Sequence, residues 1–353
     1  MSITRRQFLV SLTGVASILA LDACTSATPA ASPASQAAPA AAATSDQQIT
    51  LKFAHTLAPN HLRTEIGNKF GDLAQTATNG RVKIEIYPAG QLYPTEQATL
   101  EAVLMNVIQL STPTMGELAG YDKRFEIYNL PVLGNSLSDM DKLVDTPASL
   151  KLLDDLTAKG IKVFFYLPIG TSFTTSNKSI SKVDDFKGLK IRAATAGFQA
   201  ETIKAMGASP VAISIPEVYT ALQQGTADGS WTTPDAAESS KLYEVQKSGL
   251  YAPLWHPVIT FNTSVQFWNS LPADIRTKIE SDVIPQLKDF ARQRAKAKEL
   301  ESVGNLKKDG MALTELTVNS PDLAGFRSAL LPVHDKFRAE IDGQLVDQVL
   351  ETA

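Results

Sequence analysis

The sequence predicts an α/β chain folded as two lobes around a cleft. Three observations carry this. From Ile49 to Val107, alternating apolar segments and amphipathic stretches follow one another at the rhythm of an α/β lobe with a largely parallel sheet. From Asp185 to Gly229 a second unit of the same kind appears. A polar stretch at 170–178 and an apolar one at 258–261 read as crossings to the second lobe and back. The chain of 353 residues is long enough to build two cores.

Ile49, Leu51 and Phe53 alternate with polar residues, the period of a strand. Leu62, Ile66, Phe70, Leu73 and Ala77 recur at helical spacing, and Asn79-Gly80 ends that helix. Val82, Ile84 and Ile86 form the next strand, and Pro88-Ala89-Gly90 a turn. Leu100, Val103, Leu104 and Val107 mark a second helix. The run Ile161 to Leu167 suits a strand buried on both faces. In the second unit, a helix is expected near Phe198–Met206, a strand near Val211–Ile215 and a helix from Pro216 to Gln224. Pro216 fits a first helical turn, with Glu217 favourable at the positive end. Ser270-Leu271-Pro272 opens a long helix with Ile275, Ile279, Val283, Leu287 and Phe290. One further helix, carrying Leu323, Phe326, Leu330, Val333 and Phe337, is expected to close the chain.

Residues 1–24 read as an export signal. Thr4-Arg5-Arg6-Gln7-Phe8-Leu9 resembles a twin-arginine signal, and the apolar run from Val10 to Leu21 is too short to span a membrane comfortably. Leu21-Asp22-Ala23-Cys24 resembles a lipobox, and Cys24 is the sole cysteine of the sequence, so no internal disulfide can form. Lipid attachment at Cys24 is the expectation; cleavage by ordinary signal peptidase in the Ala-rich stretch is the alternative. Residues 25–47 are nearly all Ala, Ser, Thr, Pro and Gln, which suits a flexible tether. The expected division is lobe one at 48–170 and 257–297, and lobe two at 171–256 and 298–353. Net charge is −4, which gives no support to nucleic-acid binding. An acidic chain that binds an anion needs a local positive site.

The run that supplies one is Lys187-Gly188-Leu189-Lys190-Ile191-Arg192, then Gly207-Ala208-Ser209-Pro210, Glu217-Val218-Tyr219-Thr220-Ala221-Leu222-Gln223 and Ala227-Asp228-Gly229. Arg192 falls where a strand should meet a loop, and a fixed guanidinium matches a carboxylate two-pronged. This run resembles the substrate-binding proteins of TRAP transporters. Lys52-Phe53-Ala54-His55, Gly80-Arg81-Val82-Lys83-Ile84, Tyr87-Pro88-Ala89-Gly90-Gln91-Leu92, Leu130-Pro131 and Trp268-Asn269-Ser270-Leu271-Pro272 extend the likeness over nearly all of 49–353. The resemblance implies a fold like that of periplasmic binding proteins, with long C-terminal helices spanning both lobes. It implies an extracytoplasmic receptor that closes on a small organic acid and docks on the membrane subunits of a permease. By position, Arg192 would be the ligand clamp; a surface bridge to Asp184 or Asp185 is the structural alternative.

The sequence departs from that pattern in two places. Ser172, in Gly170-Thr171-Ser172, stands where many members carry a second arginine. Ser230-Trp231-Thr232 stands where many carry Gln-Glu-Asn. With Phe173 and Ile215 nearby, these changes suggest a less charged, more aromatic pocket. An unpaired buried charge is costly, so the loss of an arginine disfavours a second ligand carboxylate. The expected ligand is a monocarboxylate with an apolar or aromatic body. Trp231 as core packing is an equal reading, and so is His55 as a core histidine. Thr232, Tyr93, Thr112 and Met115 complete the candidate lining. Trp255 is expected to bury its indole at a lobe interface, and Asp235 and Glu238 to be surface acids at a helix start.

No His-Glu-x-x-His, cysteine-pair or Gly-x-Ser-x-Gly motif occurs, so nothing calls for a metal, a cofactor or catalysis. The other receptor readings are a lipoprotein serving a sensor or an ABC-type system; an exported enzyme is the most distant.

Overall fold

The computed structural model describes residues 48–351; Cys24 and the residues expected to form the export signal and the tether lie outside them. The strands among the described residues are β1 (Ile49–Ala54), β2 (Val82–Tyr87), β3 (Ile161–Pro168), β4 (Phe173–Ser176), β5 (Lys190–Ala193), β6 (Ser209–Ala212), β7 (Gly229–Thr232), β8 (Ser248–Tyr251), β9 (Val258–Ser264) and β10 (Ala312–Glu315). The helices are α1 (Leu62–Ala77), α2 (Glu96–Leu104), α3 (Met115–Ala119), α4 (Leu137–Val144), α5 (Pro147–Thr157), α6 (Phe198–Ala205), α7 (Ile215–Gln223), α8 (Pro234–Ser239), α9 (Val265–Ser270), α10 (Ala273–Lys278), α11 (Ile284–Lys308), α12 (Pro321–Leu330), α13 (Pro332–Glu340) and α14 (Gly343–Leu350). A π-helical turn, Ile279–Val283, links α10 to α11 without a break.

In the first lobe β1 and β2 pair in parallel, Ile49 opposite Val82. β3 and β9 pair antiparallel, and bridges at Phe53–Leu110, Ser111–Asn262 and Thr114–Ile259 join the two pairs through the segment after α2. Leu62, Ile66, Phe70 and Ala74 of α1, one stripe at helical spacing, pack on this sheet with Ile275, Leu287 and Ala291. The second lobe holds one sheet in the order β10-β8-β4-β7-β5-β6. β5 is parallel to β6 and β7, whereas β4 runs antiparallel to β7 and β8. Both lobes are therefore mixed rather than largely parallel. The chain enters each from the other, and a strand arriving by a short crossing lies antiparallel more readily than parallel.

Three further local expectations change. The polar stretch 170–178 contains β4, a wholly buried strand in the middle of the second sheet. Its backbone pairs with β7 and β8, the Ser230 amide donates to Thr175 Oγ1 at 3.1 Å, and Ser176 Oγ accepts from the Lys178 amide at 3.0 Å. Gly249 lets β8 lie against this strand, since a Cβ there would come within 2.2 Å of the Phe173 ring. The strand expected near Val211–Ile215 ends at Ala212, because Ile215-Pro216 already opens α7 behind the Ser214 cap. The single C-terminal helix is divided at Pro332, whose ring cannot continue a helix from within, and α14 follows.

That tail also bears on the lobe boundaries. Val333, Phe337, Leu345, Val346 and Val349 join a core with Leu100, Phe125, Tyr128, Leu152 and Tyr166, so part of 298–353 packs on first-lobe elements. Between the lobes α11 crosses the hinge. Its Glu299 Oε1 accepts from the Thr171 amide at 2.9 Å and from the Tyr251 hydroxyl at 2.8 Å, tying the first crossing and the end of β8 to one helix. Among the described residues no helix is long and apolar enough to cross a membrane.

Candidate functional site

A cavity of about 390 Å³ lies between the lobes. Arg192 enters it from β5, where two parallel neighbours, β6 and β7, end beside it. This is the carboxyl edge of strands, where open α/β sheets collect ligands. Its Nε donates to the Ile213 carbonyl at 2.8 Å, and Nη1 has a long contact with the Trp231 carbonyl at 3.5 Å. These two contacts aim the guanidinium without neutralising it. Burial lowers its pKa to about 10, with the Glu117 charge pulling the other way, so it stays charged at neutral pH. The surface-bridge alternative fails. Asp184 pairs with Lys187 at 2.7 Å, and Asp185 accepts from the amides of Ser181 and Lys182.

Much of the wall is apolar: Leu57, Ile169, Ile213, Ile215 and Pro257, with Trp231 and Trp255. The two indoles lie 6.2 Å apart, tilted by 34°. Trp231 also packs with Ile191, Ala193 and Leu250 in the second-lobe core, so it backs the cavity and fills the core together. Trp255 meets its expectation of a buried indole between the lobes and lines the cavity as well.

Of the expected residues, Arg192, Ile215, Trp231 and Thr232 line this cavity. The others are close by in sequence and turned away. His55 is buried with Nε2 3.0 Å from Thr64 Oγ1, and Thr56 and Leu57 line instead. Tyr93 packs beside Ala54 and Ala102, leaving Pro94 and Thr95 at the wall. Thr112 and Met115 are buried, and Thr114, Gly116 and Glu117 take their place. Ser172 donates to the Ala252 carbonyl at 2.6 Å, and Phe173 packs with Val218 and Leu222. Where a neighbour takes over the wall the displacement is one or two residues; a single step along a strand already turns a side chain to the other face.

The cavity also holds more charge than the sequence suggested. Arg63, from the first turn of α1, places Nη1 2.5 Å from Glu96 Oε1, which also accepts from the Thr56 hydroxyl at 2.5 Å. Glu117 lines the same wall. Asp235 is not a surface acid. It is 3% exposed and accepts from the Leu62 amide at 2.9 Å, with His61 Nε2 at 3.3 Å and Lys298 Nζ at 3.7 Å. Glu238 accepts from Ser302 at 2.5 Å and Asn305 at 2.7 Å. The start of α8 thus turns inward against α1 and α11. Burial raises Asp235 to about 6 and holds His61 well below 6.5, so the imidazole that faces Asp235 is neutral. The Thr-x-x-Glu pattern at 114–117 was the one sequence signal for these residues, as a capping box.

Because Glu96 offsets Arg63, Arg192 is the lining cation without a salt-bridge partner among the described residues. An unpaired guanidinium in a largely apolar chamber is suited to taking up an anion. No group of three or more His, Cys, Asp or Glu able to hold a metal ion occurs among the described residues.

Two α/β lobes joined by several crossings, with a chamber and an unpaired guanidinium between them, have the architecture of a solute-binding receptor. The profile of the bacterial extracellular solute-binding protein family 7 matches residues 53–340, and the chain belongs to that family. The C4-dicarboxylate-binding periplasmic protein DctP of Rhodobacter capsulatus is 31% identical over 307 residues, 86% of this chain and 90% of its own. A TRAP periplasmic solute-binding protein from Shewanella oneidensis with bound succinate superposes with a TM-score of 0.81 at 27% identity, covering 86% of this chain and 99% of its own. A sugar-acid-binding protein from Advenella mimigardefordensis in complex with galactonate, at 22% identity, shares the fold with a TM-score of 0.82 over 87% of this chain and 98% of its own. The chain is thus a TRAP-type extracytoplasmic solute receptor, from a family of receptors rather than enzymes, whose relatives bind small organic acids.

Proposed function

We propose that this receptor captures a small monocarboxylate with an apolar or aromatic body and delivers it to the membrane subunits of a TRAP permease. Arg192 holds the carboxylate. The body lies against Ile213, Ile215, Trp255 and the edge of Trp231. The observation that carries this reading is the unpaired Arg192 set against an Arg63 already matched by Glu96. One cation is available for one carboxylate, and a second would be desolvated without a partner. Cys24 serves as the lipid anchor, holding the receptor outside the membrane on the tether of residues 25–47.

A thermal-shift panel tests the ligand class. Hexanoate, phenylacetate and pantoate are compared with succinate and L-malate. A ligand at one hundred times its Kd stabilises the fold by about 2.7 kcal/mol, several degrees in Tm. Larger shifts from the monoacids support the reading. A response confined to succinate and malate sinks it.

A further inference from the structure

Glu117 has no evident place in an anion chamber. A carboxylate on the wall repels the anion to be bound. Glu96 escapes this difficulty through Arg63. Glu117 does not: it makes no salt bridge among the described residues, and its Oε2 accepts only from the amide of Thr114 at 2.9 Å and from the Thr114 hydroxyl. Thr114 and Glu117 form a capping box at the start of α3. Here the box faces the cavity. The adjoining Gly116 lies so close to the second lobe that a Cβ on it would come within 2.7 Å of the Thr195 methyl. The first turn of α3 is therefore pressed across the cleft toward the lobe that carries Arg192.

The charged groups around Glu117 are Glu96 from α2, Arg63 from α1 and Arg192 from β5. Burial, and after it the Glu96 charge, push the Glu117 carboxyl up to about 7, while Thr114 and Arg63 act in the opposite direction. A ligand carboxylate arriving at Arg192 adds another like charge nearby. That disfavours ionisation of Glu117 further.

We propose that Glu117 is a ligand-contacting, specificity-determining residue that works as a neutral carboxyl, so that the anion and one proton are taken up together. Its O–H donates to an oxygen of the ligand beside the guanidinium. A carboxylic acid held neutral near pH 7 in a buried site is a known kind of donor to an anion. The inference rests on the receptor reading above and deepens it by assigning a proton to the bound state. With Glu117 half-ionised near pH 7 in the free protein, binding at that pH takes up about half a proton per anion. The apparent Kd is nearly level below pH 6 and rises roughly tenfold between pH 6 and pH 8. Arg192 keeps its charge over this range. Asp235, raised to about 6 and facing His61 and Lys298, is the other acid that titrates nearby. It therefore needs its own control.

Two measurements decide the matter. The first needs no ligand. Glutamate side chains are labelled with ¹³C, and their carboxyl signals are followed against pH in the wild type and in Glu117→Gln, which keeps a residue able to complete the capping box. A titration near pH 7 that vanishes in the variant supports the proposal. A Glu117 midpoint at 4–5 overturns it, whatever the ligand turns out to be. The second is calorimetry with pantoate at pH 7 in phosphate and in Tris, whose different ionisation heats report proton uptake. Wild type and Asp235→Asn should take up about half a proton, and Glu117→Gln none. Tight binding without uptake in the wild type, or uptake that persists in Glu117→Gln, overturns the proposal. If pantoate does not bind the wild type, that choice of ligand fails and the carboxyl titration alone decides Glu117.

Discussion

Replacing Arg192 by alanine should abolish anion capture while leaving both lobes folded. Its Nε is held by the Ile213 carbonyl at 2.8 Å, which presents the rest of the fork to the cavity. A carboxylate on that fork gains two charge-assisted hydrogen bonds, each worth about 1.5–3 kcal/mol. Losing both weakens binding by on the order of 10²- to 10⁴-fold. Lysine restores the charge but not the planar fork, so Arg192→Lys should recover only part of the loss. The effect on folding is small by comparison. The Ile213 carbonyl loses a donor, worth about 1 kcal/mol. Removal of a buried, unpaired guanidinium acts in the opposite direction. The assay is calorimetry with the best acid of the panel, alongside thermal melts of each variant. An alanine variant that melts normally and binds within threefold of the wild type would refute the clamp.

Glu299→Ala should lower Tm by a few degrees and loosen the hinge. It leaves the buried Thr171 amide without an acceptor, at about 1–3 kcal/mol, and frees the Tyr251 hydroxyl. An unchanged melt with unchanged hydrogen exchange at Thr171 would count against a hinge tie. Histidines should make the fold acid-sensitive. Burial, with Arg63 adding to it, lowers His55 to about 3, and burial lowers His256 to about 4. A folded-state pKa below the unfolded value means that stability is complete above about pH 6.5 and is lost as pH falls toward 3–4. Glu117 and Asp235, both raised, gain stability over part of the same descent, so the comparison must be made by variant. His55→Gln should show a shallower fall in Tm from pH 6.5 to 4 than the wild type; parallel curves would contradict this assignment.

The alternating segments 49–53 and 82–86 were legible because one face of each strand meets water or helix and the other a core. β4 was not. Its Thr174-Thr175-Ser176 read as a polar connector, yet the neighbours of a central strand pair its backbone groups and Thr175 Oγ1 accepts from the Ser230 amide. The break at Pro332 was visible as a proline and was overridden by an apolar stripe that spans it. In the site, Arg192 was legible because a run of motifs pointed to it. Arg63, Glu96 and Glu117 of the lining, and Asp235 beside it, were not. Each is an ordinary helix-start residue in sequence, and only the meeting of α1, α2, α3 and α8 around one cavity gives them charged neighbours. His55, Tyr93 and Met115 were near misses, since sequence locates a loop more closely than the side of it that faces the cleft.

The central claim is that Arg192 recognises a carboxylate in the inter-lobe cavity. It is tested most directly by titrating the wild-type receptor with the best monoacid of the panel and with the primary amide of the same acid. The two have the same shape and differ in charge. The account predicts saturable binding of the acid and a loss of on the order of one hundredfold or more for the amide. Equal affinity for the two would contradict it.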